Sequence, residues 1–280
     1  MRYDCHIHML LDGAYWKSAI DRHREKPDRN WIRQQLEKYR AAWFSYLRDG
    51  GDRWGAGAAA REIAPEFGIV YRTPLSPISR KGHYGGFIGE QYGDRKEYAL
   101  LVRKMRSGGA DFIKIMISGL MDFDRCGVLT EPGLPAGEIR ELIHIAHEEG
   151  FSVMAHANGA DTVIAAAEAG VDSVEHGAYL NEEALAAMRE SGTVWVPTIS
   201  TVGNLLGTGR FDEVQVQKIL EGLLENVGRF AAGGGLIAPG TDAGAYSVGH
   251  GILSEYRWLE KALGTAKIPV EGTQKIIEKF

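Results

Sequence analysis

Short apolar runs alternate along the chain with segments whose apolar positions recur every three to four residues. That is the pattern of a parallel sheet built through helical crossovers. Eight runs stand out, at residues 3–8, 43–48, 69–75, 112–117, 152–156, 173–176, 194–197 and 236–239. The periodic segments between them predict helices, clearest over 138–149, 162–169, 182–191, 214–232 and 252–263, with an earlier one starting near Asn30. Eight strand–helix units predict a (β/α)8 TIM barrel, an α/β fold. The 280 residues are close to the ~250 that one such barrel needs. A single domain over 1–280 is therefore expected.

Two connections depart from the usual ~2–6 residues of a βα loop. The first, 9–29, carries Tyr15 and Trp16 and is long enough to cover the mouth of a barrel. The second, 76–92, follows the third run and carries Arg80, His83, Tyr84, Gly85 and Gly86, on the same barrel face.

Composition narrows the function classes. Apolar residues make up 44% and charged residues 25%, as in an ordered soluble protein. A net charge of -5, with no Lys/Arg-rich stretch, lacks the electrostatic footprint of a nucleic-acid binder, so the expected partner is a small-molecule substrate. No apolar run reaches the ~18 residues of a membrane span, and Met1-Arg2-Tyr3-Asp4 opens no signal-peptide hydrophobic region, so a cytoplasmic location is expected. Two cysteines, Cys5 and Cys126, make no disulfide framework and no CxxC zinc pattern.

The chemistry lies at the ends of the apolar runs. The first reads Asp4-Cys5-His6-Ile7-His8, where strand alternation sends His6 and His8 to one side and Cys5 and Ile7 to the other, a claw for one metal ion. His156 and His176 end the fifth and sixth runs, and Asp242 follows the eighth in Gly-Thr-Asp-Ala-Gly. In an eightfold barrel the C-terminal strand ends surround one mouth, so ligands far apart in sequence converge there. Lys114 sits inside the fourth run, Phe112-Ile-Lys-Ile-Met-Ile117, where a buried unpaired ammonium is costly. It needs a partner or a modification, and a carbamate formed with carbon dioxide would supply two anionic oxygens able to bridge two cations.

The set His6, His8, Lys114, His156, His176 and Asp242 resembles the amidohydrolase superfamily, in its binuclear branch with a carboxylated lysine. The phrases Ala155-His-Ala-Asn-Gly159, Glu175-His-Gly177, Gly240-Thr-Asp-Ala-Gly244 and His250-Gly251 resemble its imidazolonepropionase-like and Xaa-Pro dipeptidase-like members. Because the His-x-His run opens the sequence, the resemblance implies a distorted barrel without a substantial β-sandwich domain. Gly159 stands where the mononuclear deaminase branch would show a glutamate, which turns the reading away from deamination.

The resemblance implies two divalent ions, zinc by default, with manganese, iron or cobalt as alternatives. His6, His8 and Asp242 would hold one, His156 and His176 the other, and carboxylated Lys114 would bridge them together with a hydroxide. Asp242 would also be the catalytic general base. The implied reaction is hydrolysis of a C–N amide bond in a cyclic amide, an N-acyl compound or a dipeptide-like small molecule. A lactonase or phosphotriesterase-like esterase on the same centre is the alternative, and a non-catalytic binding protein a further one.

Candidate substrate contacts at the same face are Arg80, His83, Tyr84, Tyr179 and His250. His144 and His147 read as the solvated face of an outer helix, and His23 as part of a solvated charged stretch, 21–26. Apolar residues of the first loop offer a subunit contact, so a homo-oligomer is also expected.

Overall fold

A computed structural model describes residues 1–265 and 267–280. Its strands are β1 (Arg2–Ile7), β2 (Phe44–Asp49), β3 (Val70–Arg72), β4 (Ile78–Arg80), β5 (Glu90–Tyr92), β6 (Ile113–Met116), β7 (Val153–Ala157), β8 (Ser173–His176) and β9 (Val194–Val196). They form two parallel sheets, β1-β2-β3 and β5-β4-β6-β7-β8-β9. Every residue of β6, β7, β8 and β9 is buried, as in strands lying between a barrel interior and an outer helical layer.

Residues 236–243 fill the space between β9 and β1. Trp195 N donates to Leu236 O, Ala238 N to Trp195 O, Cys5 N to Pro239 O and His8 N to Ala243 O. On the other side, Asp111 N donates to Thr73 O and so ties the segment after β3 to the one before β6. The architecture is the (β/α)8 TIM barrel, distorted at its third and eighth walls.

Those distortions correct the strand pattern expected from sequence. The third strand, expected over 69–75, is only β3; the wall continues in β4, with Ile78 opposite Ile115 of β6. Pro74 and Pro77 lie between the two pieces and have no N–H for a ladder, so the wall must break and restart. The segment 76–92 is thus no simple loop, since it carries β4 and β5. The eighth run contributes a single bridge, Trp195 to Ile237, in place of a strand.

Helices match the expected periods to within about two residues, at Arg29–Ala41, Ala136–Glu148, Ala160–Glu168, Glu182–Ser191, Glu213–Ala232 and Ser254–Leu263. Asp28, Asn181 and Asp212 cap three of them by accepting from first-turn N–H groups. The first long loop contains the helix Trp16–His23. His23, expected in a solvated stretch, is instead buried: its ring packs on Trp31 at 5.4 Å and its Nδ1 accepts from Asp28 N at 3.1 Å.

The barrel interior is plugged at its floor by Cys5, Tyr46, Phe112, Met154, Val194 and Phe280. Two further apolar clusters lie on either side of this interior. Among the described residues no helix is long and apolar enough to cross a membrane.

Candidate metal centre

β1 brings the rings of His6 and His8 together. Their Nε2 atoms are 3.4 Å apart, so two rings rooted one ~7 Å two-residue repeat apart lean toward each other. The pairing of β1 with β2 shifts register between Asp4 and Ile7, and this irregularity puts Cys5 in the floor cluster while Ile7 packs outside. Cys5 and Ile7 therefore do not share a side, contrary to the alternation expected for this strand. Gly50 makes room for His8, since a Cβ there would collide with the imidazole ring.

The other walls deliver their groups through strained turns. His176 at the end of β8, Thr198 after β9 and Asp242 after the eighth wall all adopt positive φ, at 69°, 47° and 57°. Non-glycine residues in this region cost about 1–3 kcal/mol each and concentrate at functional sites. The turn at His176 brings its ring 5.0 Å from that of His6 and 4.5 Å from that of His156. Asp242 Oδ1 lies 3.6 Å from His6 Nε2 and 3.4 Å from His8 Nε2, and Oδ2 lies 4.0 Å from His176 Nδ1.

All six sequence-predicted ligands, His6, His8, Lys114, His156, His176 and Asp242, are buried. Burial, reinforced by Lys114, holds His8 and His156 down at about 3; burial also lowers His6 and His176 well below the usual imidazole range. Near neutral pH all four rings are uncharged and offer lone pairs. Burial likewise pushes Lys114 down and Asp242 up, each toward its neutral form.

The donor set fits a metal. His6, His8 and Asp242 place ligand atoms within 4.8 Å of one another. Both Lys114 Nζ and Asp242 Oδ1 are buried without a hydrogen-bond partner, an arrangement that costs free energy unless a bound group satisfies them. Two surface cavities, of about 680 and 390 Å³, lie along 21–30 and between 129–136 and 159–165. Neither is lined by the cluster residues.

Tyr84 covers the cluster, its ring 4.9 Å from that of His156 and 5.9 Å from that of Phe87, which in turn touches Trp16 of the first loop at 5.3 Å. His83 lies beside it, with Nδ1 3.2 Å from Glu131. Arg80 is paired with Glu138 at 2.8 Å. His250 is committed on both ring nitrogens, to Tyr39 Oη at 3.0 Å and Leu11 O at 2.8 Å, and so ties the first loop to the last. Tyr179 is partly buried with an unpartnered hydroxyl. His144 and His147 lie on the outer helix Ala136–Glu148 as expected, with His147 hydrogen-bonded to Asp172 at 3.0 Å.

Sequence reasoning missed Glu175, whose Oε2 is 2.7 Å from His6 Nδ1, and Arg48, which pairs with Glu175 at 2.8 Å. Both side chains are fully buried. A charged residue inside an apolar strand was the signal that singled out Lys114, and it applies equally to these two.

A profile of the amidohydrolase family matches residues 55–217, more than half of the chain. Ochratoxinase from Aspergillus niger is 25% identical over 279 residues, covering 86% of this chain and 56% of its own length. An uncharacterized protein of Mycobacterium tuberculosis is 32% identical over 124 residues, 42% of this chain and 33% of that one. The chain thus spans little more than half the length of the ochratoxinase it matches. Among solved structures, a Xaa-Pro dipeptidase with bound methionine superposes with a TM-score of 0.77 at 21% identity, over 99% of this chain and 75% of that one. The Aspergillus niger ochratoxinase structure superposes with a TM-score of 0.76 at 21% identity, over 98% and 69%. These structural likenesses concern the fold.

Proposed function

The chain belongs to the amidohydrolase family, and from that premise we propose that it is a metal-dependent hydrolase of C–N amide bonds in cyclic amides, N-acyl compounds or dipeptide-like small molecules. One observation carries the reading. His6 Nε2, His8 Nε2 and Asp242 Oδ1, all electron-pair donors, face one another at 3.4–3.6 Å in a buried site. Such a convergence is repulsive unless a cation or a proton sits among them.

In this proposal His6, His8 and Asp242 would hold one divalent ion and His156 and His176 the second, and a carboxylated Lys114 would supply a further anionic ligand. Histidine-rich ligation favours zinc. Bound there, the ions would make water a nucleophile near neutral pH and polarise the scissile carbonyl. Asp242 takes the proton of the attacking water and returns it to the departing nitrogen, without which an amine leaves poorly. With Oδ1 turned to His6 and His8, Oδ2, 4.0 Å from His176 Nδ1, is the oxygen left for that transfer. Tyr84, lying over His156, forms the wall against which the substrate's acyl portion rests.

The proposal is tested by elemental analysis of chain purified without chelator, followed by a panel of N-acyl amino acids, dipeptides ending in proline and lactones. The Xaa-Pro dipeptidase among the similar structures motivates the proline dipeptides. About two equivalents of metal with amide turnover are expected. Turnover of lactones alone would replace the amide reading with the esterase one, and folded chain that takes up no metal would overturn both.

A further inference from the structure

A line of buried groups runs through the barrel interior from the floor to the metal-ligand cluster. At the floor, the Arg48 guanidinium stacks 4.4 Å from the Phe280 ring centre and 5.9 Å from that of Phe112. Its Nε donates to Cys5 O at 2.7 Å, Nη1 to Ser173 Oγ at 3.0 Å and Nη2 to Glu175 Oε1 at 2.8 Å. Ser173 Oγ donates to the same Oε1 at 2.6 Å. Glu175 Oε2 then faces His6 Nδ1 at 2.7 Å, and both side chains are fully buried.

The order of donors and acceptors in this line has one solution. A guanidinium only donates, so Arg48 and Ser173 together commit Glu175 Oε1 as an acceptor. The remaining oxygen accepts from His6, which places the imidazole proton on Nδ1 and leaves the Nε2 lone pair aimed at His8 and Asp242. The proton position on a ligating histidine is set by the hydrogen bond its other nitrogen makes. His156 provides the contrast: its Nε2 faces the carbonyl of Gly119 at 3.1 Å, an acceptor only, so its proton sits on Nε2.

We infer that Arg48 and Glu175 are positioning residues that hold His6 as the Nδ1–H tautomer, so that the affinity of the metal centre is set in part from the floor of the barrel. The metal half of this statement rests on the proposed function; the tautomer half does not.

The test follows the histidine tautomers of the metal-free full chain, labelled with ¹⁵N-histidine, by long-range proton–nitrogen correlation. His6 is identified by the signals lost in His6→Gln. Wild type should show His6 protonated on Nδ1. In Glu175→Gln, Arg48 and Ser173 claim the amide oxygen, the amide NH2 turns toward His6, and the proton should move to Nε2. Zinc affinity, read by competition with a fluorescent chelator, should then fall about 10- to 100-fold. In the double variant Arg48→Met with Glu175→Gln the guanidinium is gone and Ser173 Oγ, which can accept as well as donate, takes the amide NH2, so the amide oxygen faces His6 and both the Nδ1–H tautomer and part of the affinity should return. A purely structural role would not give this reversal.

His6 protonated on Nε2 in wild type would overturn the inference, as would Glu175→Gln with tautomer and affinity unchanged. If Glu175→Gln does not fold, the wild-type and double-variant tautomers decide it. Wild type that binds no zinc yet shows the expected tautomers would count against the proposed function and not against this positioning.

Discussion

On one side of the cluster His6 Nε2, His8 Nε2 and Asp242 Oδ1 face a common point at 3.4–3.6 Å, and Glu175 holds the first ring from behind at 2.7 Å. On the other side His156 spends its Nε2 on the Gly119 carbonyl, while the buried Lys114 Nζ reaches no partner. In the proposed reading the first half is a cation site as it stands, because the lone pairs of His6 Nε2, His8 Nε2 and Asp242 Oδ1 converge there. The second, His156 and His176, would become one only with Lys114 neutral or carrying an anionic group. On that proposal one half is complete by folding alone, and the other waits on chemistry at a single nitrogen.

The largest effect is expected at Asp242, which belongs to the finished half. Asp242→Asn should lower amide turnover at least ~100-fold, the usual worth of a general base, while leaving the far-ultraviolet circular dichroism unchanged. Turnover near wild type on the true substrate would remove Asp242 from proton transfer.

Lys114→Met separates the halves most directly. Bound metal should drop from about two equivalents to about one, yet the metal-free chain should become more stable by at least ~1 kcal/mol, because a buried unpaired amine is removed. Loss of both equivalents would mean that the first half depends on the second, against the comparison drawn above.

Gly50→Ala acts on the finished half alone. A Cβ at this position meets the His8 ring, so the ring must move. Zinc affinity should fall about tenfold with unfolding temperature little changed, and unchanged affinity would show that His8 has slack.

The smallest effect on either half is expected far below, at Asp172. Burial alone would raise its carboxyl, but hydrogen bonds from His147, Lys279 and Val153 N outweigh this and hold it below the ordinary 3.8. With the folded value below the unfolded one, its stabilisation is complete above that value and is lost as pH falls through the folded value. Asp172→Asn should cost ~1.5–3 kcal/mol near neutral pH, measured by urea unfolding, and flatten the loss of stability in acid, with metal content intact. A change in metal content would mean that the barrel floor and the mouth are coupled through the wall.

Much of this molecule was legible in the chain. Lys114, His156, His176 and Asp242 each interrupt or end an apolar run, and a barrel gathers such positions at one mouth, so these residues could be proposed as ligands before their geometry was known. The broken third wall was not legible as a wall, because β4 is only three residues long and sits among prolines and glycines that read as loop. Glu175 and Arg48 carry the same signal as Lys114, a charge inside an apolar strand, but what each does shows only when the partner 127 positions away is seen beside it.

The sequence by itself determined the repeating units, the helix starts at Asp28, Asn181 and Asp212, and the residue types able to ligate a metal, since these depend on local periodicity and local hydrogen bonding. Only the tertiary structure decided that the Nε2 atoms of His6 and His8 converge to 3.4 Å, that left-handed turns aim His176 and Asp242, and that a floor arginine reaches His6 through Glu175. These depend on strand register, on backbone strain offset by packing, and on pairing across the barrel, all set by contacts between residues distant in the chain.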